Sequence, residues 1–280
     1  MMKTLAYYNG KISELDDMMI PLNDRGNFFG DGIYEATMCN NQNIFLLDDH
    51  LTRLYNSADL IEIEVPLQKD ELAKLLHELL AKVEDGPHLM YWQVTRGTAR
   101  RLHYYPDGPA NLTVTILPGN LEDLTDKEAV QTEEDIRYLM CNVKTLNLLP
   151  NVMSLERAKK KGLYETIYHR GERVTECAHS NVSILKDGVF KTAPTDNMIL
   201  PGIARAHLIK QCNLLGVPVL EEPFTVAEMM DADEVIISNS IALCKGTKEI
   251  DGIAVGGRDE ALLEKIKTAV LDEYHAEVSR

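Results

Sequence analysis

Apolar residues recur at two different spacings along the first third of the chain, and each spacing predicts a different kind of element. Residues 33–38 are rich in strand-forming side chains and follow a glycine-rich turn at 26–32, so they predict a β-strand. Apolar residues three and four positions apart after Asp48 predict an amphipathic helix with Asp48 as its N-cap. A second helix is predicted over 72–83 and is ended by the Gly-Pro pair at 86–87. The first third is therefore predicted to mix helices and strands.

The rest of the chain continues this mixture and is divided by an acidic, weakly periodic stretch at 118–128. Further strands are predicted at 88–95, 111–117, 136–140, 166–169, 182–185 and 234–238, and further helices at 151–161, 203–215 and 260–274. The pattern favours an α+β fold of two domains, 1–117 and 129–280, joined by a linker at 118–128.

Composition and charge narrow the class of protein. The 280 residues are 45% hydrophobic and carry a formal net charge of −15, which argues against a nucleic-acid partner. No apolar run approaches the roughly 18 residues of a membrane span and no apolar leader follows the N-terminus, so we expect no membrane partner and a cytoplasmic location. The five cysteines show no zinc spacing, so no metal site is expected. The common phosphate-loop, dinucleotide, zinc-protease and serine-esterase motifs are absent.

Two charged side chains lie in uncharged, largely apolar stretches. Lys144 lies within 141–149, and Glu176 follows Val174 and Thr175. Lysine is rarely buried without a partner, and loss of water favours the neutral amine that attacks carbonyl carbons. Taken alone, however, a lysine that reaches solvent from a strand edge and a solvated carboxylate in a turn explain the two residues at least as well.

Three further stretches could bind an anion. The Pro-Gly-Ile-Ala-Arg sequence at 201–205 opens a predicted helix, and the free N–H groups of a helix start suit a phosphate. The serines in 238–240 follow a predicted strand and could add hydroxyl donors. Arg101 and His103 in a polar loop could bind a carboxylate, because the guanidinium fork matches its two oxygens. An ordinary helix start, a turn and an exposed basic loop explain each stretch when it is taken alone.

The order of these stretches along the chain resembles one enzyme family. Residues 24–35, Asp-Arg-Gly-Asn-Phe-Phe-Gly-Asp-Gly-Ile-Tyr-Glu, are similar to the N-terminal signature of the fold-type IV pyridoxal 5′-phosphate-dependent aminotransferase family. The family comprises branched-chain and D-amino acid aminotransferases and aminodeoxychorismate lyase. The likeness continues through His50 to Leu54, Lys144, 176–182, 200–205 and 238–240. It implies a small N-terminal α/β domain and a larger C-terminal cofactor-binding domain, a pseudo-barrel of strands with flanking helices.

The resemblance also implies roles for individual residues. Lys144 would hold the cofactor as an internal aldimine and then move a proton, and Glu176 would pair with the pyridine nitrogen. The residues expected to cradle the phosphate are Arg53, Ile203 and Ala204 through their backbone N–H groups, and Ser240.

The polar loop at 95–103 resembles that of the D-amino acid aminotransferases. In those enzymes an Arg-x-His pair and the tyrosine of the signature bind the substrate carboxylate, and the matching residues here are Arg101, His103 and Tyr34. The neighbouring subunit supplies this loop in those enzymes, so the resemblance implies a homodimer. Branched-chain enzymes tend to carry a tyrosine five residues after the lysine, where this chain has Leu149.

The chain departs from the D-specific pattern directly after the glutamate. Glycines and serines are usual there, whereas residues 177–180 read Cys-Ala-His-Ser. His179 and Ser180 would lie near the side chain of the substrate, so His179 is expected to influence which side chains are accepted.

The resulting hypothesis is a ping-pong transamination between a D-amino acid, such as D-alanine, and a 2-oxo acid, such as 2-oxoglutarate. The alternatives within the family are aminodeoxychorismate lyase, which releases 4-aminobenzoate and pyruvate, and a branched-chain L-amino acid aminotransferase. A cofactor-free binding protein that keeps the fold is a third alternative, and the joint presence of the lysine, the glutamate and the phosphate-side residues argues against it.

Overall fold

The computed structural model describes residues 1–278 and divides the chain into two compact units. The first unit contains Met1–Leu121, the segment Val143–Asn147 and residues 275–278. The second unit contains Glu122–Asn142 and Leu148–Tyr274. The first unit therefore includes the segment that carries Lys144.

An antiparallel sheet forms the framework of the first unit. Its strands are β1 (Leu5–Tyr8), β2 (Lys11–Ser13), β3 (Gly32–Asn40), β4 (Asn43–Ile44), β5 (His88–Thr95) and β6 (Asn111–Pro118). They lie in the order β2-β1-β6-β5-β3-β4, and each neighbouring pair is antiparallel. The strands predicted at 33–38, 88–95 and 111–117 are confirmed.

Helices α1 (Arg25–Phe29), α2 (Leu47–Leu60) and α3 (Lys69–Leu80) complete the first unit. Helix α2 packs against β3, and α3 packs against α2. Apolar side chains of these helices and of the sheet form one buried core, which includes Leu51, Leu54, Leu72, Leu76 and Trp92.

The ends of α2 and α3 differ from the prediction. Helix α2 begins one residue before Asp48, and its N-cap is Leu46, so the prediction that Asp48 is the N-cap is wrong. Asp48 lies in the first turn instead, where the positive end of the helix dipole favours a carboxylate. Helix α3 ends before the Gly-Pro pair because the backbone after it pairs with Met2, whose N–H donates to the carbonyl of Lys82 at 2.9 Å.

The glycine-rich stretch at 26–32 begins with a helix and not with the predicted turn. Asp24 caps α1 by accepting a hydrogen bond from the N–H of Gly26 at 2.7 Å. Helix α1 ends at Gly30, whose φ of 60° lies in the left-handed region that favours glycine. The chain then enters β3.

A mixed sheet forms the framework of the second unit. Its strands are β7 (Glu128–Glu134), β8 (Thr166–Arg170), β9 (Arg173–Cys177), β10 (Asn181–Lys186), β11 (Val189–Thr192), β12 (Val219–Glu221), β13 (Glu234–Ser238), β14 (Lys245–Ile250) and β15 (Ile253–Ala254). The order is β12-β11-β10-β13-β14-β7-β8-β9, and β15 pairs with β14. Strand β7 is parallel to both β14 and β8.

The remaining helices are α4 (Leu149–Lys160), α5 (Ile203–Leu214), α6 (Val226–Met230) and α7 (Glu260–Val278). The helices predicted at 151–161, 203–215 and 260–274 are confirmed, as are the strands at 166–169, 182–185 and 234–238. Within residues 1–278, no helix has both the length and the apolar character needed to cross a membrane.

The strand predicted at 136–140 is wrong. Strand β7 ends at Glu134, and the Asp135 carboxylate accepts a hydrogen bond from the N–H of Arg137 at 3.0 Å, which turns the chain. The apolar side chains that suggested a strand are exposed, as for Ile136 at 69%. Apolar composition at this position therefore marks a surface and not a core strand.

Candidate active site

Lys144 lies in a short segment held alongside β3 in the first unit. The N–H of Tyr34 donates to the Lys144 carbonyl at 2.9 Å, and the N–H of Lys144 is 3.2 Å from the Ser57 hydroxyl oxygen. Thr145 forms an isolated bridge with Ile33. The Lys144 ammonium lies 4.2 Å from the centre of the Tyr34 ring. Within the described chain no carboxylate forms an ion pair with this ammonium, so the structure brings Lys144 and Tyr34 together and leaves the amine without a counter-ion.

A buried cluster joins β3 to α2 in the same unit. The guanidinium of Arg53 donates to both Glu35 carboxylate oxygens at 2.7 Å, and His50 Nδ1 lies 2.6 Å from one of them. Burial would by itself raise the pKa of Glu35, but the charge and hydrogen bonds of Arg53 and the hydrogen bond from His50 lower it to about 2. Burial lowers the pKa of His50, so its ring is neutral and donates Nδ1–H to an ionised Glu35. Arg53 therefore has a fixed orientation.

The roles of Glu35 and His50 were not predicted from the sequence, although a signal for them exists. Ile33, Glu35 and Thr37 lie two positions apart along β3, so they share one face of the strand, and all three are buried. A carboxylate on a buried face needs a cation, and residues three apart on a helix share a face. Arg53 supplies that cation from α2, and His50, three positions earlier, adds a neutral donor.

The loop after β5 keeps Arg101 and His103 together. Both flank the ring of Phe29: the Arg101 guanidinium carbon is 4.9 Å from its centre, and the His103 ring is 5.4 Å away. Arg25 fixes the loop backbone, because its Nη1 donates to the Leu102 carbonyl at 2.8 Å. Both predicted carboxylate-binding side chains are exposed. Among the described hydrogen bonds, none joins either residue to Tyr34.

Glu176, on β9 of the second unit, is a buried carboxylate with three donors. One oxygen accepts from Arg137 Nη1 at 2.5 Å. The other accepts from Asn181 Nδ2 at 3.0 Å and from the N–H of Leu200 at 2.9 Å. Burial raises the pKa of Glu176 to about 7, because it outweighs the opposing effect of Arg137. Arg137 and Asn181 are partners of Glu176 that the sequence analysis did not assign.

The start of α5 in the same unit offers uncapped N–H groups. Gly202 is the N-cap, and no side-chain cap is present there in the described chain, so the N–H groups of Ile203 and Ala204 begin the helix without one. A Cβ at residue 202 would lie 1.8 Å from Asn181 Oδ1, so only glycine fits. Because Asn181 also binds Glu176, the structure brings Glu176 and the start of α5 together.

His179 and Ser180 are held by a second buried carboxylate in this unit, that of Glu165. The Ser180 hydroxyl donates to it at 3.2 Å, and His179 Nδ1 contacts the same oxygen. Asn239 Nδ2 donates to Ser180 Oγ at 3.0 Å. Asn239 directly precedes Ser240, so the predicted substrate-side residues His179 and Ser180 adjoin the predicted phosphate-binding turn.

Comparisons with known proteins identify the family. A family model described as amino-transferase class IV matches residues 32–250. The chain belongs to the class IV aminotransferases. A D-alanine aminotransferase from Listeria monocytogenes is 38% identical over 282 residues, which cover 99% of this chain and 96% of that protein. One from Bacillus licheniformis is 35% identical, covering 98% of both. The crystal structure of the Escherichia coli branched-chain amino acid aminotransferase shares the fold, with a TM-score of 0.88 at 22% identity, covering 97% of this chain and 94% of that one.

Family membership establishes the cofactor class. The chain is a pyridoxal 5′-phosphate-dependent aminotransferase, and the predicted family, enzyme class and α+β fold are confirmed. The chemistry of the described residues fits this cofactor. Lys144 offers an amine without a carboxylate partner, α5 offers uncapped N–H groups to a phosphate, and Glu176 offers a buried carboxylate to a ring nitrogen. No group of His, Cys, Asp and Glu side chains within residues 1–278 is suited to hold a metal ion.

Proposed function

We propose that the protein transfers the amino group of a D-amino acid, such as D-alanine, to a 2-oxo acid, such as 2-oxoglutarate. Relatives named D-alanine aminotransferase match nearly the whole chain and support this substrate class. The observation that carries the proposal is the pair of Arg101 and His103, kept together on the Phe29 ring and exposed to solvent. An exposed guanidinium beside an imidazole suits the carboxylate that amino acids and 2-oxo acids share.

Lys144 and Glu176 would act at the cofactor. When bound, pyridoxal 5′-phosphate supplies an electron sink for the pair of electrons left when the substrate Cα loses its proton. Lys144 would bind the cofactor's aldehyde carbon through Nζ and, once released, take up and return that proton at Nζ. The Glu176 carboxylate would accept a hydrogen bond from the pyridine nitrogen and so favour its protonated form.

The phosphate would be bound by a backbone site and by side chains. The uncapped start of α5 supplies two N–H donors and the positive end of the helix dipole. The Glu35 cluster fixes the Arg53 guanidinium, so this cation needs little reordering to receive a ligand. The residues in this proposed cradle are Arg53, Ile203, Ala204 and Ser240.

The substrate would be bound through both of its ends. Arg101 and His103 of a neighbouring subunit, with Tyr34, would bind the carboxylate, and His179 and Ser180 would lie near the side chain. This arrangement requires a homodimer. Large apolar side chains exposed in the second unit support one: Ile136, Tyr138, Leu139, Met140, Leu149, Val152 and Met153.

We place the enzyme in the cytoplasm, with residues 1–117 as the smaller domain and 129–280 as the cofactor-binding domain.

A donor panel tests the proposal. The purified holoenzyme is mixed with D- or L-amino acids and 2-oxoglutarate, and the cofactor absorbance is followed together with product formation. We expect turnover with D-alanine and none with L-leucine. Turnover with L-leucine but not D-alanine would overturn the substrate class, and pyruvate release from aminodeoxychorismate without an oxo acid would identify a lyase.

The role of Lys144 is tested in the same assay. Lys144→Ala should lose turnover, and it should also lose the absorbance band that the cofactor shows when it is bound to a lysine amine. Lys159→Ala, at an exposed position on α4, should keep the turnover and the band. An unchanged spectrum and rate in Lys144→Ala would remove Lys144 from the mechanism.

A further inference from the structure

We propose that Arg137 is a positioning residue that keeps the Glu176 carboxylate ionised and oriented toward the pyridine nitrogen of the cofactor. The inference rests on the proposed function only in assigning that nitrogen to Glu176. It concerns a residue of the second unit that lies 39 positions before its partner.

The Arg137 guanidinium has a fixed position. Its Nε donates to one oxygen of Asp135 at 2.9 Å, and its Nη2 donates to the other at 3.0 Å. Its guanidinium carbon lies 4.7 Å from the centre of the Tyr168 ring. The fork is therefore occupied on one side by Asp135, and Nη1 is directed to Glu176.

Asp135 is itself held in place. Arg170 Nε donates to it at 3.1 Å, and the Thr175 hydroxyl lies 3.2 Å from the same oxygen. Cations and anions thus alternate in the row Arg170, Asp135, Arg137 and Glu176. Because the row contains two of each charge, removing one member leaves a net charge in a largely buried place.

The two oxygens of Glu176 are not equivalent. Oε2 already accepts hydrogen bonds from Asn181 and Leu200, whereas Oε1 accepts one from Arg137. A carboxylate oxygen can accept about two hydrogen bonds, so Oε1 has capacity for one more donor. A protonated ring nitrogen is a donor of this kind.

Arg137 also opposes the effect of burial on Glu176. Burial favours the neutral carboxyl, and Arg137 is the largest effect acting against it, which leaves the pKa of Glu176 at about 7. Without the guanidinium, Glu176 would be protonated at neutral pH. Its O–H would then donate to an unprotonated ring nitrogen, and the carboxylate would no longer accept a hydrogen bond from a protonated one. The ring would then lose the positive charge that makes it an electron sink.

A purely structural role for Arg137, such as fixing the turn after β7, is the competing explanation. Arg170 provides the matched control, because it binds the same Asp135 carboxylate and the Arg137 carbonyl but makes no hydrogen bond to Glu176. Arg137→Lys keeps the charge and loses the fork, so it separates charge from shape.

The test measures the protonation of the ring nitrogen in the holoenzyme. Arg137→Met, Arg137→Lys and Arg170→Met are loaded with cofactor labelled with ¹⁵N in the ring, and the nitrogen chemical shift is recorded as a function of pH. We expect the wild type and Arg170→Met to show a protonated nitrogen at pH 7.5, Arg137→Met a largely unprotonated one, and Arg137→Lys a protonated one. We also expect kcat with D-alanine to fall about 10- to 100-fold in Arg137→Met, by analogy with the loss of residues that orient metal ligands.

A protonated nitrogen in folded Arg137→Met would overturn the inference, as would an equal loss of protonation in Arg170→Met. If Arg137→Met does not fold, Arg137→Lys decides: its nitrogen should lose the proton at a lower pH than in Arg170→Met, and identical titrations would refute the inference. The ¹⁵N shift does not depend on the substrate. A wild type inactive toward D-amino acids but with an Arg137-dependent shift would refute the proposed function alone.

Discussion

Replacing Glu35 with glutamine isolates the charge of the buried cluster in the first unit. Glutamine has the same length as glutamate but carries no charge. The partner of Glu35 is the Arg53 guanidinium, a cation whose side chain is only 6% exposed. The substitution therefore leaves a buried guanidinium without the Glu35 carboxylate, a change that is far more costly than removing both charges together.

The magnitude follows from the pKa of Glu35, which is lowered from an ordinary 4.5 to about 2. Each unit of difference between the folded and unfolded states corresponds to about 1.4 kcal/mol, so the ionised carboxylate contributes about 3 kcal/mol to the free energy of unfolding at pH 7. Because the folded-state pKa is the lower one, this contribution is complete above about pH 4.5 and is lost as the pH falls through 2. Glu35→Gln should therefore lose about 3 kcal/mol at pH 7 and less at pH 3.

The assay uses the single tryptophan of the chain. Trp92 lies opposite Glu35 in the register of β3 and β5, and its ring is 6.2 Å from that of His50. Its fluorescence during urea unfolding of the apoprotein therefore reports on the first unit. Glu35→Gln is compared with the wild type, with Glu84→Gln at an exposed position, and with the double variant Glu35→Gln/Arg53→Met.

We expect Glu84→Gln to match the wild type and the double variant to recover most of the lost stability, since it also removes the cation. A loss below about 1 kcal/mol in Glu35→Gln at pH 7 would refute the reasoning. So would a difference from the wild type that stays constant between pH 7 and pH 3, because the stabilisation would then not depend on ionisation of this carboxyl.

Three further predictions concern the substrate and cofactor residues. Arg101→Gln should weaken D-alanine binding by about 1.5–3 kcal/mol, seen as a raised KM in initial-rate measurements, and Arg100→Gln should change it less. Gly202→Ala should weaken cofactor binding in equilibrium titration, because its Cβ would lie 1.8 Å from Asn181 Oδ1 and displace the start of α5. His179→Ser should change the ratio of kcat/KM for 2-oxoglutarate to that for pyruvate, since it replaces the ring beside Ser180 with a smaller side chain, and should leave the cofactor absorbance unchanged.

Helices and strands were predictable from the sequence where the pattern of apolar and polar residues agrees with which side chains are buried. Strand β5 alternates buried and half-buried residues over most of 88–95, and the predicted and observed limits agree. The stretch at 136–140 is also apolar, but its side chains are exposed, and the turn formed by Asp135 and Arg137 ends the strand first. Local composition does not reveal what covers an apolar segment, so pattern alone could not separate these two cases.

The same limit applies to the site. Lys144 and Glu176 were predicted because a charged residue in an apolar stretch can be recognised from its neighbours in the sequence. The family motifs also contain both residues. The pairings of Glu176 with Arg137 and of Arg53 with Glu35 were not found, because these hydrogen bonds connect residues 39 and 18 positions apart. Only the folded chain brings these groups together.

Two buried carboxylates, Glu35 and Glu176, show how different surroundings give the same type of side chain different roles. Glu35 receives two N–H groups of one guanidinium and a histidine donor, and its pKa falls to about 2, so it is an anion at every working pH. Glu176 receives one N–H of a guanidinium whose other side is occupied by Asp135, and its pKa rises to about 7. A protonated ring nitrogen needs an ionised carboxylate as its acceptor, which Arg137 favours at Glu176, whereas the Glu35 carboxylate is already engaged by the Arg53 guanidinium. The difference lies in the neighbours, and it makes Glu176 the carboxylate suited to the cofactor and Glu35 the one suited to holding Arg53.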